Sequence, residues 1–250
     1  MRSQFTISRG EPGISQVANA EGESPVIAPN TWVEIKGVNL VPAGDTRVWG
    51  NSDFTNAKMP TQLDGVSATV NGKSAYVYYI SPTQINILTP PDAMSSPVQV
   101  VVTNNGASGA GFTAQAQALS PSFFVFGDNQ HLAATHVDGS LLGPTSFSVP
   151  GYTFTPAKPG ETVALYANGF GPTSQSVVNG SVNQSGTLAP LPVVKIGGFA
   201  ANVEFAGLIS PGLFQFNVVV PPDTPDGDQP ITAAYNGQTT QAGTLLTIQR

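Results

Sequence analysis

The sequence predicts an all-β chain of two tandem β-sandwich domains, and three observations carry that prediction. Val, Thr, Phe and Tyr fall in short alternating runs, the pattern of half-buried strands. Gly (27) and Pro (22) interrupt those runs at the spacing of turns in an all-β chain. A long segment of the first half recurs in the second, the mark of a duplicated unit.

The repeat sets the order of elements. Thr31-Trp32-Val33-Glu34-Ile35-Lys36-Gly37 aligns with Glu161-Thr162-Val163-Ala164-Leu165-Tyr166-Ala167, and Pro42 then falls on Pro172. Ala75-Tyr76-Val77-Tyr78-Tyr79 aligns with Ala201-Asn202-Val203-Glu204-Phe205, and Ser81-Pro82 with Ser210-Pro211. Gln84-Ile85-Asn86-Ile87 through Pro90-Pro91-Asp92 aligns with Gln215-Phe216-Asn217-Val218 through Pro221-Pro222-Asp223. Each Pro-Pro-Asp ends its strand by removing backbone donors.

Strands Val66–Val70 and Val193–Ile196 lead through Asn71-Gly72 and Gly197-Gly198, dipeptides suited to type I′ hairpin turns. Val98–Thr103 and Ile231–Tyr235 run into Asn105-Gly106 and Asn236-Gly237, then pair with Gly111–Ala118 and Thr244–Ile248. About seven short strands per ~100 residues is the signature of an immunoglobulin-like sandwich. The expected division is residues 13–118 and 157–250 as the two sandwiches, with 119–156 as an ordered connector. Val137-Asp138-Gly139-Ser140 reads there as a hairpin turn, and Phe123, Phe124 and Phe126 as residues buried at the domain junction. So apolar a connector predicts that the domains pack together.

Composition excludes several classes. Hydrophobic residues make up 40% and charged residues 10%, with nine Lys and Arg scattered singly and a net charge of −6. No basic stripe exists to neutralise phosphates, so nucleic acid is not an expected partner. No run approaches the ~18 apolar residues of a membrane helix, and membrane insertion is not expected. The lack of cysteine fits the cytoplasm and exported bacterial proteins equally. Residues 1–12 are expected to be an N-terminal extension or the end of an upstream segment, because Met1–Ile7 lacks the apolar stretch of a signal peptide.

Several motifs together resemble a known family. They are Ile14–Ala20, Ile27-Ala28-Pro29, Val33–Leu40, Tyr79–Asn86, Pro159–Val163, Gly169–Thr173 and Pro211–Asn217. The chain is similar here to the Solibacter-type C-terminal domain family of exported acidobacterial proteins, and each half resembles an IPT/TIG-type Ig-like domain. Pro29-Asn30 stands where that pattern has Pro-Gly, a change that Asn tolerates in a left-handed turn. The resemblance implies an extracellular or cell-surface location, a place in a larger architecture and no catalytic residues.

Candidate chemistry is sparse. His131 and His136 lie five residues apart, which matches neither one strand face nor one helix face. Asp223, Asp226 and Asp228 cluster in a loop of the kind that holds calcium, although Pro225-Asp226-Gly227 also reads as a plain turn. Calcium there is the one cofactor the sequence suggests; otherwise none is expected. No Gly-x-Ser-x-Gly elbow occurs.

Gln84 and Asn86 recur as Gln215 and Asn217, so they read as architecture, bonding neighbouring backbone or loop groups. Strict alternation puts Ala75, Val77 and Tyr79 inward and Tyr76 and Tyr78 outward. With Trp49, those two tyrosines are the expected contact for a ligand or partner, or else they pack beneath the other domain. The expected function is a non-enzymatic exported module that spaces, attaches or joins parts of a larger surface protein. Protein, cell-surface glycan and its own copies are the partners considered. A carbohydrate-binding module and, more remotely, a metal-dependent hydrolase are the alternatives.

Overall fold

In the computed structural model, which describes residues 10–250, one three-residue 3₁₀ turn at Asn51–Asp53 interrupts a set of strands. Most of the expected extension at 1–12 lies outside the described residues. The first unit folds as two facing sheets. One runs in the order Gly13–Asn19, Trp32–Val38, Gln84–Leu88, Tyr76–Ile80 and Arg47–Val48. The other contains Phe112–Ala116, Val98–Asn104 and Val66–Val70. Val33, Ile35, Ile85 and Ile87 face Val66, Val70, Val100 and Val102, and all eight are buried. Residues that alternate with these, such as Glu34, Asn86 and Val101, point away from that core, as the two-residue strand period requires.

The second unit repeats the plan. Thr162–Asn168 pairs with Leu213–Val219, which pairs with Phe199–Ser210. The long Phe199–Ser210 strand also pairs with Val193–Ile196, so it joins both faces of the second sandwich. Its core gathers Val163, Leu165, Phe214 and Phe216 against Ile196, Ile231 and Leu246. The register is conserved between copies: Lys36 opposes Gln84 and Glu34 opposes Asn86, as Tyr166 opposes Gln215 and Ala164 opposes Asn217.

The turns take the form their residues dictate. Asn71-Gly72, Gly197-Gly198, Asn105-Gly106 and Asn236-Gly237 all have positive φ at both positions, as type I′ turns require. The connector is part of the second sandwich. Ser122–Phe123 and Ala134–His136 both pair with Thr162–Asn168, and Ala134–His136 forms a hairpin with Leu141–Leu142.

Only one of the three connector phenylalanines lies at the junction. Phe123 is fully buried against Phe216 in the second core. Phe126 packs with Phe147 and Phe154, and Phe124 alone borders a cleft between the sandwiches.

One sequence expectation fails in both copies at the same place. Val77 opposes Ile87 but Tyr79 opposes Asn86, leaving Tyr78 as a bulge. Val203 opposes Val218 and Phe205 opposes Asn217, leaving Glu204 as the equivalent bulge. A bulge adds one residue and resets which side chains face the core. Tyr79 therefore lies on the outer face with Asn86 and is half-buried, instead of pointing inward.

Candidate functional site

The two sandwiches meet along a polar, buried seam. Asn19, fully buried, donates from Nδ2 to the Ser120 carbonyl at 2.6 Å. Its Oδ1 accepts from Ser122 Oγ at 2.9 Å and from Asn168 Nδ2 at 3.2 Å. Buried amides are stable only when such partners are supplied, and here the second unit supplies them to a residue of the first. Further along, Met59 N donates to the Gly180 carbonyl at 2.9 Å and Val182 N to the Ala57 carbonyl at 3.1 Å. Asn30 Nδ2 donates to Gln184 Oε1 at 2.8 Å, and Trp32 Nε1 to the Pro211 carbonyl at 3.1 Å.

Tyr76 belongs to this seam. It is 6% exposed, packs with Met59, Leu88 and Val182, and donates its hydroxyl to Asn179 Oδ1. Burial, then the Asp92 charge, pushes its phenol upward. The outward face predicted for Tyr76 is thus covered by the second unit, and Tyr76 is not an exposed contact. Trp49 is half-buried in an edge-to-face cluster with Trp32, Phe54 and Tyr78.

Tyr78 has a different fate. With Trp32, whose ring centroid lies 5.5 Å away at 66°, it forms a corner of an interdomain cleft of about 300 Å³. Phe124, Asn86, Ser210, Pro211 and Glu21 are among the other residues that line it. The Val125 amide donates to Glu21 Oε2 at 3.3 Å. Burial pushes the Glu21 carboxyl up to about 7; the Val125 amide opposes this and the nearby Glu34 charge adds to it. Sequence reasoning missed Glu21 and Trp32, because their setting is created by residues a hundred positions away.

The recurrent amides bond each other within their own strands, not neighbouring backbone or loop groups. Gln84 Nε2 donates to Asn86 Oδ1 at 2.8 Å, and Gln215 Nε2 to Asn217 Oδ1 at 2.7 Å.

The remaining candidates do not converge. Asp226 holds Arg250 at 3.2 Å. Asp228 accepts from Thr247 Oγ1 at 2.7 Å and lies 3.2 Å from His131 Nε2. Asp223 lies outside these contacts, and among the described residues no group of three or more His, Asp or Glu is arranged to hold a metal. In the expected calcium loop, Asp226 and Asp228 are thus turned to protein partners. His131 Nδ1 bonds Asp128 at 2.5 Å, while His136 bonds Glu161 and, at 2.9 Å, Thr155 Oγ1. Glu161 also caps the Lys158 amide at 2.8 Å, so this chain of bonds ties a surface turn to a strand. Among the described residues no helix is long and apolar enough to cross a membrane.

Two β-sandwiches sharing one plan and one register define a tandem Ig-like module. Residues 24–121 match the model of the IPT/TIG domain, which supports an Ig-like domain there. None of the curated proteins compared matches the chain.

Among solved structures the chain is similar to the full extracellular region of plexin A4, at 13% identity and TM-score 0.29, covering 100% of this chain and 19% of that one. It is also similar to the surface glycan-binding protein PbSGBP-B from Prevotella bryantii, at 14% and 0.29, covering 95% and 42%. A third is SGBP-B of the Bacteroides ovatus mixed-linkage glucan utilization locus in complex with a mixed-linkage heptasaccharide, at 11% and 0.34, covering 90% and 43%. The chain spans less than half the length of each.

Proposed function

We propose that this chain is a non-enzymatic structural module of a larger exported protein, set outside the cell or on its surface, where it spaces or attaches neighbouring parts. The seam carries the reading. Domains that act separately meet through small, wet interfaces, whereas here Asn19 of the first unit is fully buried among partners from the second. Such a junction turns two sandwiches into one rigid body, which suits a spacer. The IPT/TIG match over residues 24–121 and the resemblance to the acidobacterial exported family support the surface setting.

An aromatic glycan platform is less well supported, since burial of Tyr76 leaves Tyr78 without its neighbour. The test is a glycan-array screen of the purified chain together with small-angle scattering. One rigid particle that retains no glycan is expected. Retention of a glycan that is lost on Tyr78→Ala would contradict the spacer reading.

A further inference from the structure

We infer that the interdomain cleft bordered by Trp32, Tyr78, Phe124 and Glu21 is a binding site for a methylated ammonium headgroup. This goes beyond the spacer reading and does not depend on it. A spacer needs the seam closed, but at this point it opens into a cavity of about 300 Å³ with aromatic walls, at the lower end of small-molecule sites. Trp32 and Tyr78 meet edge to face at 5.5 Å, so two ring planes converge on one corner. Aromatic faces carry negative potential and attract an organic cation placed within about 6 Å.

The charged and polar groups favour the same ligand. Glu21 accepts one hydrogen bond, from Val125 N to Oε2, and borders the cleft. The charged group that acts on it is Glu34, which is buried and held 2.8 Å from Lys36; Lys36 also bonds Glu23 at 2.9 Å. Tyr78 is the other titratable group in the lining. Among the described residues Glu21 is thus a carboxyl without a cationic partner, raised to about 7 mainly by burial. A cation seated beside it restores its charge and releases its proton.

Methylation follows from the three aromatic walls, Trp32, Tyr78 and Phe124, against which a charge spread over methyl groups packs well. Asn86 Oδ1 is already taken by Gln84, so its amide offers the cleft donors. A primary ammonium carries three strongly hydrated donors, whose water the aromatic walls cannot replace. A quaternary nitrogen brings none.

The test titrates choline chloride into the full chain at about pH 8, beside its uncharged isostere 3,3-dimethylbutan-1-ol, reading heat and tryptophan fluorescence. Saturable choline binding is expected, with the isostere about tenfold weaker or worse. Affinity should fall by about tenfold or more at about pH 5.5, where Glu21 is protonated. Glu21→Gln and Phe124→Leu should weaken it similarly. At about pH 6.5, two buffers of different ionisation heat should reveal proton release on binding, a readout on the unaltered protein. Absence of saturation by choline, equal affinity for the isostere, undiminished affinity in Glu21→Gln, or binding without proton release would each overturn the site.

Discussion

Asn19 Nδ2 lies 2.6 Å from the carbonyl oxygen of Ser120, 101 positions away in the chain. This bond joins the edge strand of the first sandwich to the start of the second unit. The same asparagine accepts from Ser122, Asn168 and the Glu21 amide, so one buried side chain satisfies four groups at once.

Asn19→Ala should therefore cost more than a typical hydrogen bond. It strands buried donors and an acceptor without water, a penalty of about 3 kcal/mol. Urea unfolding checks this through a lowered midpoint, and a change below about 0.5 kcal/mol would show the hub to be dispensable.

Tyr76 separates packing from hydrogen bonding. Tyr76→Phe loses the bond to Asn179 and should cost about 1 kcal/mol. Tyr76→Ala also empties the space between Met59, Leu88 and Val182 and should cost about 3–5 kcal/mol. Equal losses in both variants, measured by thermal melting, would mean that the ring is not buried there.

Much of this fold was legible in the sequence, and the parts that were not share one cause. Type I′ turns at Asn71-Gly72 and Gly197-Gly198 follow from residues that tolerate positive φ. The duplicated Gln84/Asn86 and Gln215/Asn217 fixed the register of the central strands. The bulges at Tyr78 and Glu204 left no mark, because an inserted residue in a short strand looks like ordinary alternation. Burial of Tyr76 and the setting of Glu21 are decided by Asn179 and Val125, which local periodicity cannot bring near.

Glu21 should give the stability a pH dependence of unusual sign. Its folded carboxyl titrates at about 7 against an ordinary 4.5, so the folded chain holds the proton more tightly than the unfolded one. Its contribution is full below about pH 4.5 and is lost as pH rises toward 7, by up to roughly 3 kcal/mol. Denaturation from pH 4.5 to 7.5 should show this decline, and Glu21→Gln should flatten it. The Arg47 guanidinium holds Asp53 and Asp64 below the usual carboxylate range, so their effect lies at lower pH and has the opposite sign.

Gly212 marks where the second unit's hairpin sits on the first. Its φ is +64°, and a Cβ there would lie 2.5 Å from Leu88 Cδ1 and 2.9 Å from Trp32 Nε1. Gly212→Ala combines backbone strain with overpacking and should destabilise by about 2–4 kcal/mol. Gly72→Ala, at φ +75° with open space around it, supplies the strain alone. Chemical denaturation should therefore rank Gly212→Ala as clearly the worse of the two.

Residual dipolar couplings of backbone amides test the locked junction most directly. Amides of residues 13–116 and 162–248, fitted separately, should return one alignment tensor of the same magnitude and orientation. Two tensors of different magnitude would mean that the sandwiches move independently, and would contradict the seam built on Asn19.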